Sequence, residues 1–385
     1  MITLLERIFI KARPEGDERR AYGILCGILG ISLNLLLFAG KYLAGILSSS
    51  IAITADAFNN LSDAGSSVIT LLGFQFAGRK ADEEHPFGHG RIEYLSGLAV
   101  SVAIIVMGVE LGRTSIEKIL HPEEVDTGFL SMGILLVSVA VKLYMSFYNK
   151  RIGKKIDSAA MKATAVDSLS DALATFMVFL SMVVMRFTGI NADGWCGVLV
   201  AVFILRAGYE AAKETLNPLL GQAPAPEFIS EIEEIVMSRP EIIGIHDLVV
   251  HDYGPGHRMI SLHGEVDGSG DIFTLHDAID SAEMELRDCL GCEAVIHMDP
   301  VNLKDPEMKE KKQKVGELVK RIDERLNIHD FRLVHGGGIT KLLFDVVAPF
   351  DFKMTEEELE QEVQDRVREA IPGCEALIQI DHSYV

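Results

Sequence analysis

The chain has 385 residues, 48% of them hydrophobic, and a formal net charge of −20. The charge is lopsided: residues 1–220 carry 20 Lys and Arg against 21 Asp and Glu, whereas residues 221–385 carry 16 against 35, a net of −19. So acidic a tail argues against nucleic acid as a partner and would attract cations, and the five scattered cysteines argue against a disulfide framework.

The start of the chain meets charge at Glu6 and Arg7 and again from Glu15 to Arg20, too early for a signal peptide. Six apolar segments follow, at 22–48, 51–76, 92–116, 127–147, 159–187 and 194–216. Each reaches the roughly 20 residues that a membrane-spanning helix needs. Basic residues set the orientation. Arg13, Arg19 and Arg20 precede the first segment, and Arg79, Lys80 and Arg91 lie between the second and third. Lys150, Arg151, Lys154, Lys155 and Lys162 lie between the fourth and fifth. The other connections are poor in positive charge: Ser48 to Ser50 has none, 117–126 has Lys118, and the stretch before Asp193 has Arg186. The pattern predicts a multi-pass protein of the cell membrane with both termini in the cytoplasm.

Two segments break the apolar rule at the same relative place. The second contains Ala55-Asp-Ala-Phe-Asn-Asn-Leu-Ser-Asp-Ala64 and the fifth Ala163-Thr-Ala-Val-Asp-Ser-Leu-Ser-Asp-Ala172, identical at six of ten positions. Each sets two polar groups four residues apart, Asn59 with Asp63 and Asp167 with Asp171, on one helix face. Three aspartates at mid-membrane cost on the order of 8–10 kcal/mol together on insertion scales. Ser, Thr or Asn would hold helices together at lower cost. Without a membrane Lys or Arg beside them, the carboxylates would repel until a cation or protons relieved the charge. Two facing pairs of oxygen ligands predict a four-residue cation site.

At these residues the sequence resembles the cation diffusion facilitator family. The likeness also takes in the loop Asp82-Glu-Glu-His-Pro-Phe-Gly-His-Gly-Arg91 and the Ile296-His-Met-Asp-Pro300 stretch of the tail. The resemblance implies a homodimer embedded in the lipid bilayer that works by alternating access and exchanges a cytoplasmic divalent metal ion for protons. It implies a transporter, not an enzyme, with no cofactor beyond the metal carried. The zinc-exporting branch has imidazole ligands in the transport site; Asn59, Asp63, Asp167 and Asp171 offer only oxygen and are similar to the manganese-exporting branch. Oxygen ligands suit harder cations such as Mn²⁺, imidazole suits Zn²⁺. Asp56, one turn before Asn59, matches a family position with a supporting, proton-handling or structural role. Asp82, His85 and His89 match a second, weaker metal site; the four-residue spacing of the histidines would align them if the loop were helical. Arg91 matches a basic family position whose acidic partner near the end of the last span is missing here, where the chain reads Leu219-Leu-Gly221.

After Pro224-Ala-Pro226 the pattern becomes helix, two strands, helix and strand, then repeats from about Lys311. Gly244-Ile-His-Asp-Leu248 returns as Asn327-Ile-His-Asp-Phe331, and Gly291-Cys-Glu-Ala-Val-Ile-His-Met-Asp299 as Gly373-Cys-Glu-Ala-Leu-Ile-Gln-Ile-Asp381. The expected organisation is a six-helix membrane domain at 1–220 followed by two tandem αββαβ, ferredoxin-like cytoplasmic domains at 221–305 and 306–385. By resemblance, His246, His263, His276, His297 and Asp299 match metal ligands of the zinc branch. The second copy keeps His329 and Asp381 but has Gln379 in place of His297, with Asp345 near the His263 position, and is expected to bind metal less well.

The functional expectation is proton-coupled efflux of Mn²⁺. The alternatives are a Zn²⁺, Fe²⁺ or Co²⁺ exporter and a membrane metal sensor or scaffold without flux. An intramembrane aspartyl protease would need Gly-x-Gly-Asp, whereas Asp63 and Asp171 follow Asn60-Leu-Ser62 and Ser168-Leu-Ser170.

Overall fold

A computed structural model describes residues 18–48, 51–121, 128–336 and 339–382. Arg13 and the opening of the chain, Ser49 and Ser50, and residues 122–126 of the connection that holds Lys118 lie outside the described residues. The chain divides into two compact units. One runs to Gln222 and includes Asp252–His257; the other comprises Ala223–His251 and the chain from Arg258 onward.

The first unit has six long helices among the described residues: α1 (Glu18–Ser48), α2 (Ile51–Ala77), α3 (Ile92–Leu120), α4 (Phe129–Lys155), α5 (Ala159–Thr188) and α6 (Asp193–Leu216). Glu18–Ala44 of α1 and all of α3, α4, α5 and α6 are long and apolar enough to cross a membrane. Helix α2 has 27 residues and carries the Asn59 and Asp63 pair. The helices associate chiefly as α1 with α2, α3 with α6 and α4 with α5. Small residues permit the close approach: a Cβ on Gly97 of α3 would stand 2.9 Å from the Ala160 Cα. Ser158 caps α5 by accepting the Met161 N–H, and Gly189, with φ at +69°, ends it.

The fourth helix differs from expectation. Its basic stretch from Lys150 to Lys155, expected as a connection, forms the last turns of α4. Lys154 and Lys155 stand in the final turn, where cations complement the helix dipole. Lys142 is thereby placed inside a long helix with its side chain 2% exposed. At the helix ends, Arg19 Nη2 lies 2.8 Å from Glu93 Oε1, which also accepts the Ser158 hydroxyl, so α1 and α3 are tied to the start of α5.

The second unit runs α7 (Pro226–Met237), β1 (Ile242–Asp252), β2 (Arg258–Asp267), α8 (Ile272–Leu290), β3 (Cys292–Val301), and then α9 (Pro306–Lys320), β4 (Asn327–Gly336), β5 (Ile339–Ala348), α10 (Glu356–Ala370), β6 (Cys374–His382). Its described residues form two three-stranded sheets, ordered β1-β2-β3 and β4-β5-β6. In each the last two strands are parallel, joined by a helical crossover. Alternation buries one face of each strand: Ile260, Leu262, Ala294 and Ile296 in the first sheet, Leu342, Phe344, Val346 and Ala376 in the second. The crossover helices start on side-chain caps, Asp271 for α8 and the Thr355–Glu358 capping box for α10. His246 and His329 occupy the same place in β1 and β4, and each is followed by an aspartate at positive φ, Asp247 at 53° and Asp330 at 50°. Short polar side chains tolerate that conformation best.

Candidate metal centres

Helices α2 and α5 bring two of the predicted carboxylates together around Lys142 of α4, which was not among the expected site residues. Lys142 Nζ on α4 stands 2.6 Å from Asp63 Oδ2 and 2.6 Å from Asp171 Oδ2. The expectation that no membrane cation lies beside these aspartates is therefore overturned. Lys142 is 2% exposed and the two carboxylates 14% and 10%. Each charge is costly at that depth, and the ion pairs offset the cost only because both carboxylates reach the same ammonium. Asp167, one turn before Asp171, is buried and lies within electrostatic reach of Asp63, Asp171 and Lys142. Asn59 is exposed on α2, one turn from Asp63. The four residues do not close into one ion-sized cradle: among the described residues, the groups whose ligand atoms lie within 4.8 Å of one another are elsewhere.

Asp56 also has a partner. Lys41 of α1, 3% exposed, places Nζ 2.8 Å from Asp56 Oδ2. Of the supporting, proton-handling and structural roles expected for Asp56, this contact supplies a structural one. A lone Lys inside an otherwise apolar segment was the available signal for both Lys41 and Lys142, because such a residue needs an anion nearby.

The loop between α2 and α3 gathers Asp82, His85 and His89, although it is built of turns and not of helix. Asp82 does the gathering. Its Oδ1 lies 3.3 Å from His85 Nδ1, its Oδ2 3.4 Å from His89 Nε2, and the two rings stand 4.6 Å apart. The His85 backbone N–H donates to the Asp82 carboxylate at 2.7 Å and holds its pKa below the usual range. His89 is largely buried, with Nδ1 lacking a hydrogen-bond partner. Arg91 donates to the Asp252 carbonyl and stacks over Tyr253, which gives it a partner in the β1–β2 turn. Gly254, with φ at +114°, lets that turn approach: a Cβ there would meet the Gly90 carbonyl carbon at 2.3 Å.

In the tail, Asp299 is the hub of the first copy. His263 Nδ1 lies 2.8 Å from Asp299 Oδ2, His246 Nε2 3.2 Å from the same oxygen, and His297 Nε2 3.3 Å from Oδ1. The parallel register pairs His263 with His297 across β2 and β3. His276 does not join them; on α8 it is exposed and pairs with Asp280 one turn on. Burial, with His329 as the next cause, pushes the His246 pKa down. The second copy is better furnished than expected: His329, Asp345 and Asp381 bring their ligand atoms within 4.8 Å. Burial first and then the Asp381 charge push the Asp345 carboxyl up to about 6. A further group joins the copies, His246 and Asp247 with His329. Asp247 was not among the predicted residues.

Comparison with known proteins gives these groups a setting. Residues 27–220 match the model of the cation efflux transmembrane domain, and residues 224–301 that of the cation efflux protein cytoplasmic domain. The chain is 30% identical over 276 residues to an uncharacterized transporter of Methanocaldococcus jannaschii, covering 71% of this chain and 97% of that protein. It is 27% identical over 298 residues to the cation-efflux pump FieF of Salmonella arizonae, covering 75% of this chain and 98% of the pump. The FieF pump of Pectobacterium atrosepticum is 28% identical over 280 residues, which is 72% of this chain and 93% of that one. The chain thus belongs to the cation diffusion facilitator family and is a multi-pass membrane transporter of the cation-efflux type, not an enzyme.

Proposed function

We propose that the protein exports a divalent metal ion from the cytoplasm in exchange for protons, with Mn²⁺ as its preferred cargo. The observation that carries this reading is the convergence of Asp63 and Asp171, from the two helices with matching motifs, on one buried ammonium at 2.6 Å. Helix α2 is then a sixth span, both termini are cytoplasmic, and two copies of the chain work together.

Asp63, Asp167 and Asp171 with Lys142 leave a net charge of −2, which one divalent ion would balance. A metal ion held by these carboxylates would compete with the ammonium for their oxygens and repel its charge. In this account Lys142 is a tethered cation: it keeps the carboxylates together between cargoes and is displaced when the metal enters. Protons carried inward restore the charge balance once the metal has left. Asn59 turns toward the ion during the cycle and adds a neutral oxygen, and the whole set remains free of imidazole. The Asp82, His85 and His89 group stands as a weaker site for incoming metal, and His263, His297 and Asp299 as a cytoplasmic one.

Zn²⁺ binds most such sites more tightly than Mn²⁺, so selection must arise in the transport step and not in affinity alone. The test is uptake into inverted vesicles, with Mn²⁺, Zn²⁺, Fe²⁺ and Co²⁺ compared side by side. Fastest uptake of Mn²⁺ supports the proposal. Preference for another of these ions would leave a divalent exporter of different cargo, and binding without any uptake would leave a sensor or scaffold.

A further inference from the structure

The tail holds buried imidazoles that the transport step does not use. The His246 side chain is 7% exposed and that of His329 13%. They come from different copies of the repeat, yet their rings stand 4.9 Å apart at an angle of 30°. Neither ring nitrogen of His246 has a hydrogen-bond partner, and Nδ1 of His329 lacks one too. A buried polar atom left without a partner costs about 1–3 kcal/mol. Protonating both rings would not help, because two adjacent imidazolium groups repel. Asp247 completes the group, with Oδ1 3.5 Å from His329 Nε2. Carboxylates flank it: Asp299 Oδ2 is 3.2 Å from His246 Nε2, and Asp381 Oδ2 is 3.6 Å from His329 Nε2. Glu265 and Asp345 stand somewhat farther off, at 3.8 and 3.9 Å from the respective Nδ1 atoms.

We propose that a divalent transition-metal ion binds between the two cytoplasmic repeats of a single chain, held by His246 and Asp247 of the first and His329 of the second. Two imidazoles and one carboxylate, with a fourth position left for water, form a donor set suited to Zn²⁺. The surrounding carboxylates would accept the remaining ring N–H groups and fix the tautomers, as outer ligands of metal-bound histidines do. Ligand atoms around tetrahedral Zn²⁺ lie about 3.3 Å apart, whereas these lie within 4.8 Å of one another. Binding therefore draws the repeats together, and the second repeat serves the first as a partner domain within the same chain. The site reads cytoplasmic metal without belonging to the transport path.

The test uses the full chain in detergent with Asp171→Asn in the membrane domain, so that binding reports on the other sites whether or not the transport proposal holds. The probe is Zn²⁺ alone, with stoichiometry and affinity from equilibrium dialysis and amide hydrogen exchange of β1 and β4 in the same samples. Expected are at least tenfold weaker binding of one Zn²⁺ per chain in both His246→Gln and His329→Gln, and Zn²⁺-dependent protection of β1 and β4 that both variants lose. Asp247→Asn is the second arm: Asn tolerates the positive φ as Asp does, so it removes the carboxylate without disturbing the strand. It should lose the same ion even if a histidine variant folds poorly. Unchanged Zn²⁺ binding in His329→Gln and Asp247→Asn would overturn the proposal in favour of an ion held by the first repeat alone. Binding that leaves the exchange of β4 unchanged would overturn it as well.

Discussion

Lys142 on α4 and Asp171 on α5 share a contact of 2.6 Å between Nζ and Oδ2 inside the helical unit, and Asp63 on α2 meets the same ammonium. If the ammonium competes with the cargo for these oxygens, removing it should favour the bound metal. Lys142→Gln is expected to tighten Mn²⁺ binding at least tenfold, referenced to the Asp171→Asn background, and to slow uptake because the metal no longer has a rival for its ligands. Binding and flux both at wild-type levels in Lys142→Gln would remove Lys142 from the cycle.

The Lys41–Asp56 pair calls for a different experiment. Breaking a buried ion pair on one side leaves an uncompensated charge and costs about 3–5 kcal/mol, whereas replacing both partners by neutral groups is often near neutral. Lys41 is 3% exposed. Lys41→Met should therefore lower the melting temperature of the detergent-solubilised protein, and Lys41→Met/Asp56→Asn should recover most of the loss while keeping transport. A double variant that is stable yet inactive would instead give Asp56 a part in handling protons.

Asp63 and Asp171 were legible in the sequence because a carboxylate in an apolar segment is conspicuous and its cost demands a partner. The tail repeat was legible because Gly291 to Asp299 and Gly373 to Asp381 are nearly the same string. Lys142 carried the same signal, a charge inside an apolar stretch, but its pairing with Asp63 and Asp171 depends on how α2 and α5 pack against α4, which no local pattern encodes. The approach of Asp247 to His329 depends on how the copies pack, which no local pattern encodes. His276 was misplaced for a related reason: it matched a ligand position by resemblance, but α8 turns it toward Asp280.

In the second sheet, Asp345 has its carboxyl raised from 3.8 to about 6, by burial first and then by Asp381. The folded state therefore holds a proton that the unfolded chain has already lost, and the stability linked to that proton is full below about 3.8 and gone above about 6. With metal chelated, Asp345→Asn should stabilise the tail at pH 7.5 by up to about 3 kcal/mol, a ceiling set by the size of the shift, and change little at pH 4. Pulse proteolysis across a urea series at both pH values checks this. Equal effects at the two would show that the charge of Asp345 is not what strains the sheet.

In the proposed reading, selectivity rests on an oxygen-only transport site. Replacing Asn59 and Asp167 together by His would supply two nitrogen ligands better suited to Zn²⁺. Asn59→His/Asp167→His should lose Mn²⁺ uptake and gain Zn²⁺ uptake, while either single change mainly loses activity. Parallel uptake of the two ions decides it, and a double variant that still prefers Mn²⁺ would move the choice of metal to other residues.

The most direct test of the whole account is Mn²⁺ uptake into inverted vesicles under an imposed pH gradient, acid inside, comparing wild type with Asp171→Asn. The wild-type chain should accumulate Mn²⁺ faster with the gradient than without it and acidify the outer medium as it does so, and Asp171→Asn should do neither. Uptake that ignores the gradient, or that survives in Asp171→Asn at the wild-type rate, would contradict proton-coupled export through the carboxylates around Lys142.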